Sequence, residues 1–520
     1  MNETKPSETL EDPSHSTVVS LARSGGALLF ASLFGNGLNY AFGIFLARYL
    51  GAEDFGLFAL SLTLFNTMVM IVLLGFNSST IKFVSESLGR NDHSQAKQFV
   101  AFGLGLCVLM SGLGAGLLWG SGEWLATEIY ARPELIPLFG IVALALPFSA
   151  ISMLIVSALQ AFQIIRYTIF VKYLWEPVGK FGVAWIFLTA GMGLPGVMIG
   201  MVLVFAGSVL IAFHGARRVI AITLQDFTTI NRTIGKPFLL FCGPLIFANV
   251  FSALAPRFDV FLLGYFGQME QVGIYTAAFQ TAAVLSLILG SFDRTFAPAM
   301  GRLMATHDTA GLKKLYQSQT RMVTGMIMFP LMVFLVFGEN VLKIFGQAFV
   351  PGYVPLMLLA IAQAWYCATG AASMVLLMGG HSRLIMVNTI GNGLCVILLG
   401  WMLIPLWGME GAACAASLSL VGRNGIQIAQ VWRKYRILPY SWGFMKFILA
   451  GTLTAVSMLL GKTWLADLSL FLWLPFGGLF YLGAVAFLRL EGEDRKLLRD
   501  LFRNLQRLIL REEPKEAACA

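Results

Sequence analysis

Apolar runs long enough to cross a lipid bilayer follow one another along almost the whole chain, with short polar segments between them. A helix rising 1.5 Å per residue needs about 20 such residues to cover a hydrocarbon core of about 30 Å. Fourteen segments qualify. They run approximately over residues 27–50, 57–77, 99–120, 135–159, 169–190 and 193–214, then 238–265, 272–294, 322–338, 354–378, 384–406 and 411–430, and finally 443–461 and 468–489. This pattern predicts an all-α integral membrane protein of about 14 helices: two six-helix lobes and a C-terminal helix pair. The expected divisions are an N-terminal tail over 1–26, an N-lobe over 27–218, a linker over 219–236, a C-lobe over 237–432, the pair over 443–489 and a basic tail over 491–520.

The two lobes read as copies of one unit. ARYLGAEDFGLFALSL, beginning at Ala47, is followed by an apolar run and a polar segment ending at Lys97. About 217 residues later GYFGQMEQVGIYTAAF opens the same sequence of events, which ends at Lys314. Gly56 then corresponds to Gly273 and Phe58 to Tyr275. A second echo pairs GLPG at Gly193–Gly196 with GMEG at Gly408–Gly411, about 215 residues on. Two matches at nearly one offset predict a duplicated unit of roughly 200 residues.

Composition agrees with the pattern. Hydrophobic residues make up 57% of the chain and charged residues 12%, where a soluble domain carries roughly a quarter. The mean hydropathy is +0.76. The formal charge of +9 does not call for nucleic acid, because the basic residues sit in short segments beside apolar runs. Lys82, Arg90, Lys97, Arg166, Arg217, Arg218, Arg302, Lys313, Lys314, Arg383, Arg433 and Lys434 fall in alternate connections, whereas the other set holds little beyond Arg132, Lys343 and Lys462. By the positive-inside rule the first set is cytoplasmic and so are both termini, which requires an even number of spans. The tail after Glu491 has a leucine stripe and an arginine every fourth residue from Arg495 to Arg511, the pattern of an amphipathic helix for the anionic inner leaflet.

Catalytic and metal signatures are missing. The six cysteines form no CxxC and read as small core residues, and the five histidines are scattered. Gly112, Gly114 and Gly116 lie inside an apolar span with no P-loop lysine, so they read as helix-packing glycines. No cofactor is expected.

Charges inside the spans carry the functional signal, since each costs roughly 2.5–3.5 kcal/mol at a helix centre and needs a cavity or a partner. Lys172, Glu176 and Lys180 recur at i, i+4 and i+8 in the fifth span, which places them along one stripe, where a structural Lys180–Glu176 ion pair is the alternative to a functional Lys180. Lys180 lies about 16 Å from the cytoplasmic end and Arg257 about 15 Å from the outer end of the seventh span, both near mid-membrane. Arg257 shares that span with Asp259, Pro244 and Pro256, and an Arg257–Asp259 pair is an equal alternative to a substrate role. Arg423 lies about 18 Å from the outer end of the twelfth span. Arg48, Asp293 and Arg294 are boundary charges. Lys180, Arg257, Arg423, Lys172, Arg48 and Arg294 are thus candidates for an anionic substrate, and Glu176 and Asp259 for a coupling proton or sodium ion.

LARYLGAEDFGLFALSLTL at Leu46–Leu64, LGFNSSTIKF at Leu74–Phe83, FCGPLIFANVFSALAPRFDVFLLGYFG at Phe241–Gly267, VGIYTAAFQ at Val272–Gln280 and SFDRTFAPAM at Ser291–Met300 carry a family likeness. The chain resembles the polysaccharide-exporter and oligosaccharide-flippase branch of the MOP superfamily, which also contains MATE drug exporters and lipid II flippases. The resemblance covers nearly the whole chain. It implies two lobes in a V that move an undecaprenyl-diphosphate-linked oligosaccharide across a bacterial inner membrane. Polysaccharide polymerase or export proteins would be candidate partners. No strict family motif maps the diphosphate-binding role onto Lys180, Arg257 or Arg423.

Two other readings compete. A cation-coupled drug exporter should carry more intramembrane carboxylates than cations, and here the balance is reversed. A membrane glycosyltransferase or ligase would need a large outer loop for its catalytic groups, and the outer connections are too short to hold one.

Overall fold

Gly51, at φ 81°, and Gly408, at φ 55°, interrupt the two longest helices of the chain. Both adopt backbone that a side chain disfavours. The helices they interrupt, α1 (Pro13–Leu73) and α14 (Ser382–Tyr435), would otherwise extend well beyond a bilayer's hydrocarbon thickness. Each therefore supplies two of the expected spans with almost no loop between them, where the apolar pattern placed a short connection. The computed structural model describes residues 13–220, 234–243, 254, 257–464 and 470–488, with side chains from residue 30 onward apart from 294–295 and 463–472. Among the described residues there is no strand, and nine helices are long and apolar enough to cross a membrane. The chain is a multi-pass membrane protein.

Between the two broken helices lie α2 (Phe76–Gly89), α3 (His93–Trp124), α4 (Leu135–Ala161), α5 (Ile165–Thr168), α6 (Glu176–Thr189) and α7 (Gly193–Val219). Next come α8 (Ile234–Gly243), α9 (Phe258–Phe266), α10 (Met269–Ala305), α11 (Thr309–Leu342), α12 (Tyr353–Ala368) and α13 (Ala372–Met378). After α14 come α15 (Trp442–Trp464) and α16 (Leu470–Phe487). The prolines expected in the seventh span, the amphipathic tail and most of the linker lie outside the described residues.

Packing follows the repeat. In the first half α4 lies on α3 and α7, and α6 on α7; in the second, α12 lies on α10, α11 and α14. The seam between the halves is α1 against α10, the two helices that carry Gly56 and Gly273. α15 packs on α11, and α16 on α15.

The local turns repeat as well. Asn91 and His307 both have left-handed backbone, at φ 58° and 55°, and each precedes an aspartate that caps a helix. Asp92 accepts from the Gln95 amide at 2.9 Å and Asp308 from the Gly311 amide at 2.8 Å, each satisfying a donor that the first helical turn leaves open. Gly193 and Gly408, paired by sequence, share φ 56° and 55°. Gln163 and Gly380, which no sequence match brought together, share φ 61° and 77° at the ends of α4 and α13.

Of the three expected packing glycines, only Gly114 packs. A Cβ there would meet Val72, whereas Gly112 and Gly116 face open space within 4 Å.

Candidate functional site

Lys180, Arg257 and Arg423 each rest on a different aromatic ring. The Lys180 ammonium is 5.5 Å from the centroid of Phe205 on α7. Phe205 in turn stacks on Phe65 of α1, at 5.0 Å, beside a small apolar cavity lined by Leu62, Ile141 and Met198. The Arg257 guanidinium, just before α9, is 4.4 Å from Phe279 of α10. That of Arg423 on α14 is 5.8 Å from Tyr366 of α12. The face of a ring attracts a cation electrostatically and offers it no proton acceptor, so the charge is steadied without being neutralised.

Lys172 differs from these three. Its ammonium donates to Glu176 Oε1 at 2.6 Å in a closed ion pair, and Glu176 is buried. Lys172 sits in a π turn, Ile169–Trp175, that joins α5 to α6. A π turn takes more residues per turn than an α-helix. Lys172 and Glu176 still meet, while Lys180 is turned onto α7.

Asp259 is similarly engaged. It is 2% exposed, and its carboxylate accepts from the Tyr275 hydroxyl and, at 2.8 Å, from the Val260 amide. Arg257 and Asp259, two residues apart, form no ion pair within 4 Å. The Arg257 guanidinium is nevertheless near enough to act electrostatically on the Asp259 carboxylate.

Arg48 is exposed at the end of the first arm of α1, and its Nε donates to the Ile344 carbonyl at 2.6 Å, 296 residues away. Arg294 lies within α10, and its side chain is outside the described residues. Lys180, Arg257 and Arg423 thus rest on three different rings, while Lys172 and Arg48 have partners of their own.

A group that sequence reading passed over joins α10 and α11. Gln319, fully buried on α11, donates from Nε2 to Asp293 Oδ1 of α10 at 2.7 Å. Arg321, 4% exposed, donates to Ser441 Oγ at 2.9 Å and ties α11 to the segment that leads into α15. The apolar pattern starts the ninth span at residue 322 and so leaves these residues outside it, whereas α11 begins at Thr309 and draws Gln319, Thr320 and Arg321 inside. The polar triplet was the available signal.

A family model described as polysaccharide biosynthesis protein matches residues 21–304. The chain belongs to this family. No curated protein matches it. Among solved structures, this member of the polysaccharide biosynthesis family is similar to the lipid II flippase MurJ in an inward closed conformation. The two share a TM-score of 0.71 and 14% identity, over 91% of this chain and 99% of that one. An inward-facing MATE multidrug resistance transporter of the MOP superfamily matches at 0.64 and 15% identity, over 81% and 94% of the two chains. A MOP superfamily transporter from Pyrococcus furiosus, described as having a binding pocket of reverse polarity, matches at 0.57 and 14%, over 84% and 95%. At these identities the likeness is one of fold, and the fold is that of flippases and MATE transporters.

Proposed function

We propose that this protein is a transporter, not an enzyme, that flips a lipid-diphosphate-linked oligosaccharide across a bacterial inner membrane by alternating access. One observation carries the reading: Lys180, Arg257 and Arg423, which counting along the spans puts near mid-membrane, rest on aromatic faces with no carboxylate within 4 Å among the described residues. Cations inside membrane helices that make no contact ion pair suit an anionic cargo, and a diphosphate is the anionic part of a lipid-linked sugar. Family membership in polysaccharide biosynthesis and the flippase-like fold support the same cargo. The two acids that could favour a cation-coupled drug exporter, Glu176 and Asp259, are both held by partners.

In this reading both termini are cytoplasmic, the N-lobe (27–218) and the C-lobe (237–432) rock about the α1–α10 seam, and the basic tail over 491–520 rests on anionic lipid. Polysaccharide polymerase or export proteins would receive the cargo. The test is movement of a lipid-diphosphate oligosaccharide in vesicles containing Lys180→Gln, Arg257→Gln or Arg423→Gln. Each is expected to lose at least about tenfold in rate, the loss of one contact worth about 1.4 kcal/mol. Full transport by all three variants would remove the proposed site.

A further inference from the structure

α11 does not run straight to its end. Phe337 has non-helical backbone, at φ −116° and ψ 21°, and the two carbonyls before it are taken by side chains of other helices. The Tyr353 hydroxyl of α12 donates to the Leu335 carbonyl at 2.7 Å, and the Lys462 ammonium of α15 donates to the Val336 carbonyl at 3.1 Å. A side chain inserted into the ladder of helix hydrogen bonds is a physical cause of a kink. Lys462 also lies 5.7 Å from the centroid of the Phe337 ring, and that ring packs on Trp473 of α16, 5.9 Å away. Trp473 in turn covers Gly461, where a Cβ would strike it. The C-terminal pair therefore holds the bend with one cation and one ring.

The piece of chain beyond the bend closes the seam between the halves. The amides of Lys343, Ile344 and Phe345 donate back into the last turn of α11, at 2.9, 3.1 and 2.9 Å, so this turn and these residues form one stiff unit. Its end meets the first arm of α1 twice. Arg48 donates to the Ile344 carbonyl at 2.6 Å, and the Phe345 ring stands 5.8 Å from that of Tyr40. Ile344 follows Phe337 by seven residues, or about 10 Å of helix. A rotation of about 10° at the bend then moves Ile344 by about 2 Å, enough to break its hydrogen bond to Arg48.

We infer that Lys462 is a positioning residue for closure at the end assigned to the outer face. By holding the α11 bend at Phe337 it seats Ile344 and Phe345 on the N-half, and the α15–α16 pair thereby governs whether the halves separate there. Contact passes from Lys462 to Val336, along the end of α11, and from Ile344 to Arg48. This role rests on the movement of the halves proposed above, but not on its cargo.

The test is the distance between spin labels at Glu53→Cys and Gln347→Cys, exposed positions on opposite halves, in the full chain without its native cysteines and in lipid nanodiscs without cargo. Lys462→Met keeps the aliphatic stem and removes the donor. It should raise the population at long distance about fivefold, the equivalent of one hydrogen bond. Lys462→Arg, which can still donate and still lie on the ring, should restore the short distance. Arg48→Met opens the same contact from the other side and gives the size of a full release. Tyr481→Phe removes a bond that the helix pair makes elsewhere, from the Tyr481 hydroxyl of α16 to the Gly325 carbonyl at 2.7 Å, about three turns before the bend. It should lower the unfolding temperature and leave the distances alone. Unchanged distances in Lys462→Met beside a shift in Arg48→Met overturn the role of Lys462 and leave the moving halves in place. Unchanged distances in both overturn the closure itself. Opening in Tyr481→Phe equal to that in Lys462→Met reveals a general loosening of the pair and overturns the assignment to the bend.

Discussion

Gly56 and Gly273, equivalent positions of the two repeats, stand backbone to backbone across the seam between α1 and α10. A Cβ built on Gly56 would lie 3.1 Å from the Gly273 nitrogen, and one on Gly273 3.0 Å from the Gly56 nitrogen. Each would also strike a carbonyl of the opposite helix, at Met269 and Ala52 respectively. The near-equality of the two contacts marks a local two-fold relation between the repeats.

Backbone cannot yield as a flexible side chain can. Gly56→Ala and Gly273→Ala should therefore each destabilise the protein by about 1–3 kcal/mol or more, the range for overpacking a close contact. Gly112→Ala, facing open space, should be neutral or slightly stabilising. Thermal unfolding in detergent ranks the three, and equal midpoints would contradict the seam as described.

The Tyr275 hydroxyl is the side-chain donor to the buried Asp259 carboxylate. Tyr275→Phe keeps the ring and leaves that acceptor short of a partner, at a cost of about 1–3 kcal/mol. The expected result is a lower unfolding temperature. An unchanged one would show that the bond contributes nothing to stability.

Ser79 Oγ lies 3.0 Å from Cys242 Sγ, where α8 packs on the first half through Phe238 and its neighbours Phe76, Phe83, Phe99 and Phe102. If transport requires α8 to leave this cluster, Ser79→Cys should cross-link to Cys242 under oxidation and stop transport. Reductant should restore it. Transport that continues through the cross-linked protein would show that α8 stays in place.

The hydrogen bond from Arg48 to the Ile344 carbonyl joins the halves at the ends assigned to the outer face. Arg48→Met removes it and should raise the population open to that face roughly fivefold, for about 1 kcal/mol. Labelling of a cysteine placed below the contact measures this, and an unchanged rate would leave Arg48 without a role in closure.

The site was legible in part. Counting residues along spans gave an expected depth for Lys180, Arg257 and Arg423, because helical rise converts sequence number into distance. It did not give their partners. Lys180 and Lys172 are two turns apart, yet one meets Phe205 and the other Glu176, because Phe205 comes from α7, a second helix packed on α6. Asp293 looked like an ordinary boundary charge until α11 proved to begin at Thr309 and to bring Gln319 beside it.

Hydrophobic runs, alternating basic loops and spaced glycines were enough by themselves to establish a helical membrane protein and to match Gly56 with Gly273. Those properties depend on solvent partitioning and backbone conformation, which act on neighbouring residues. Which ring receives each cation, which acids are already occupied and where the two repeats touch depended on helices hundreds of residues apart. Only packing decides these, because a side chain's partner is set by the rotation and register of a second helix that its own sequence does not contain.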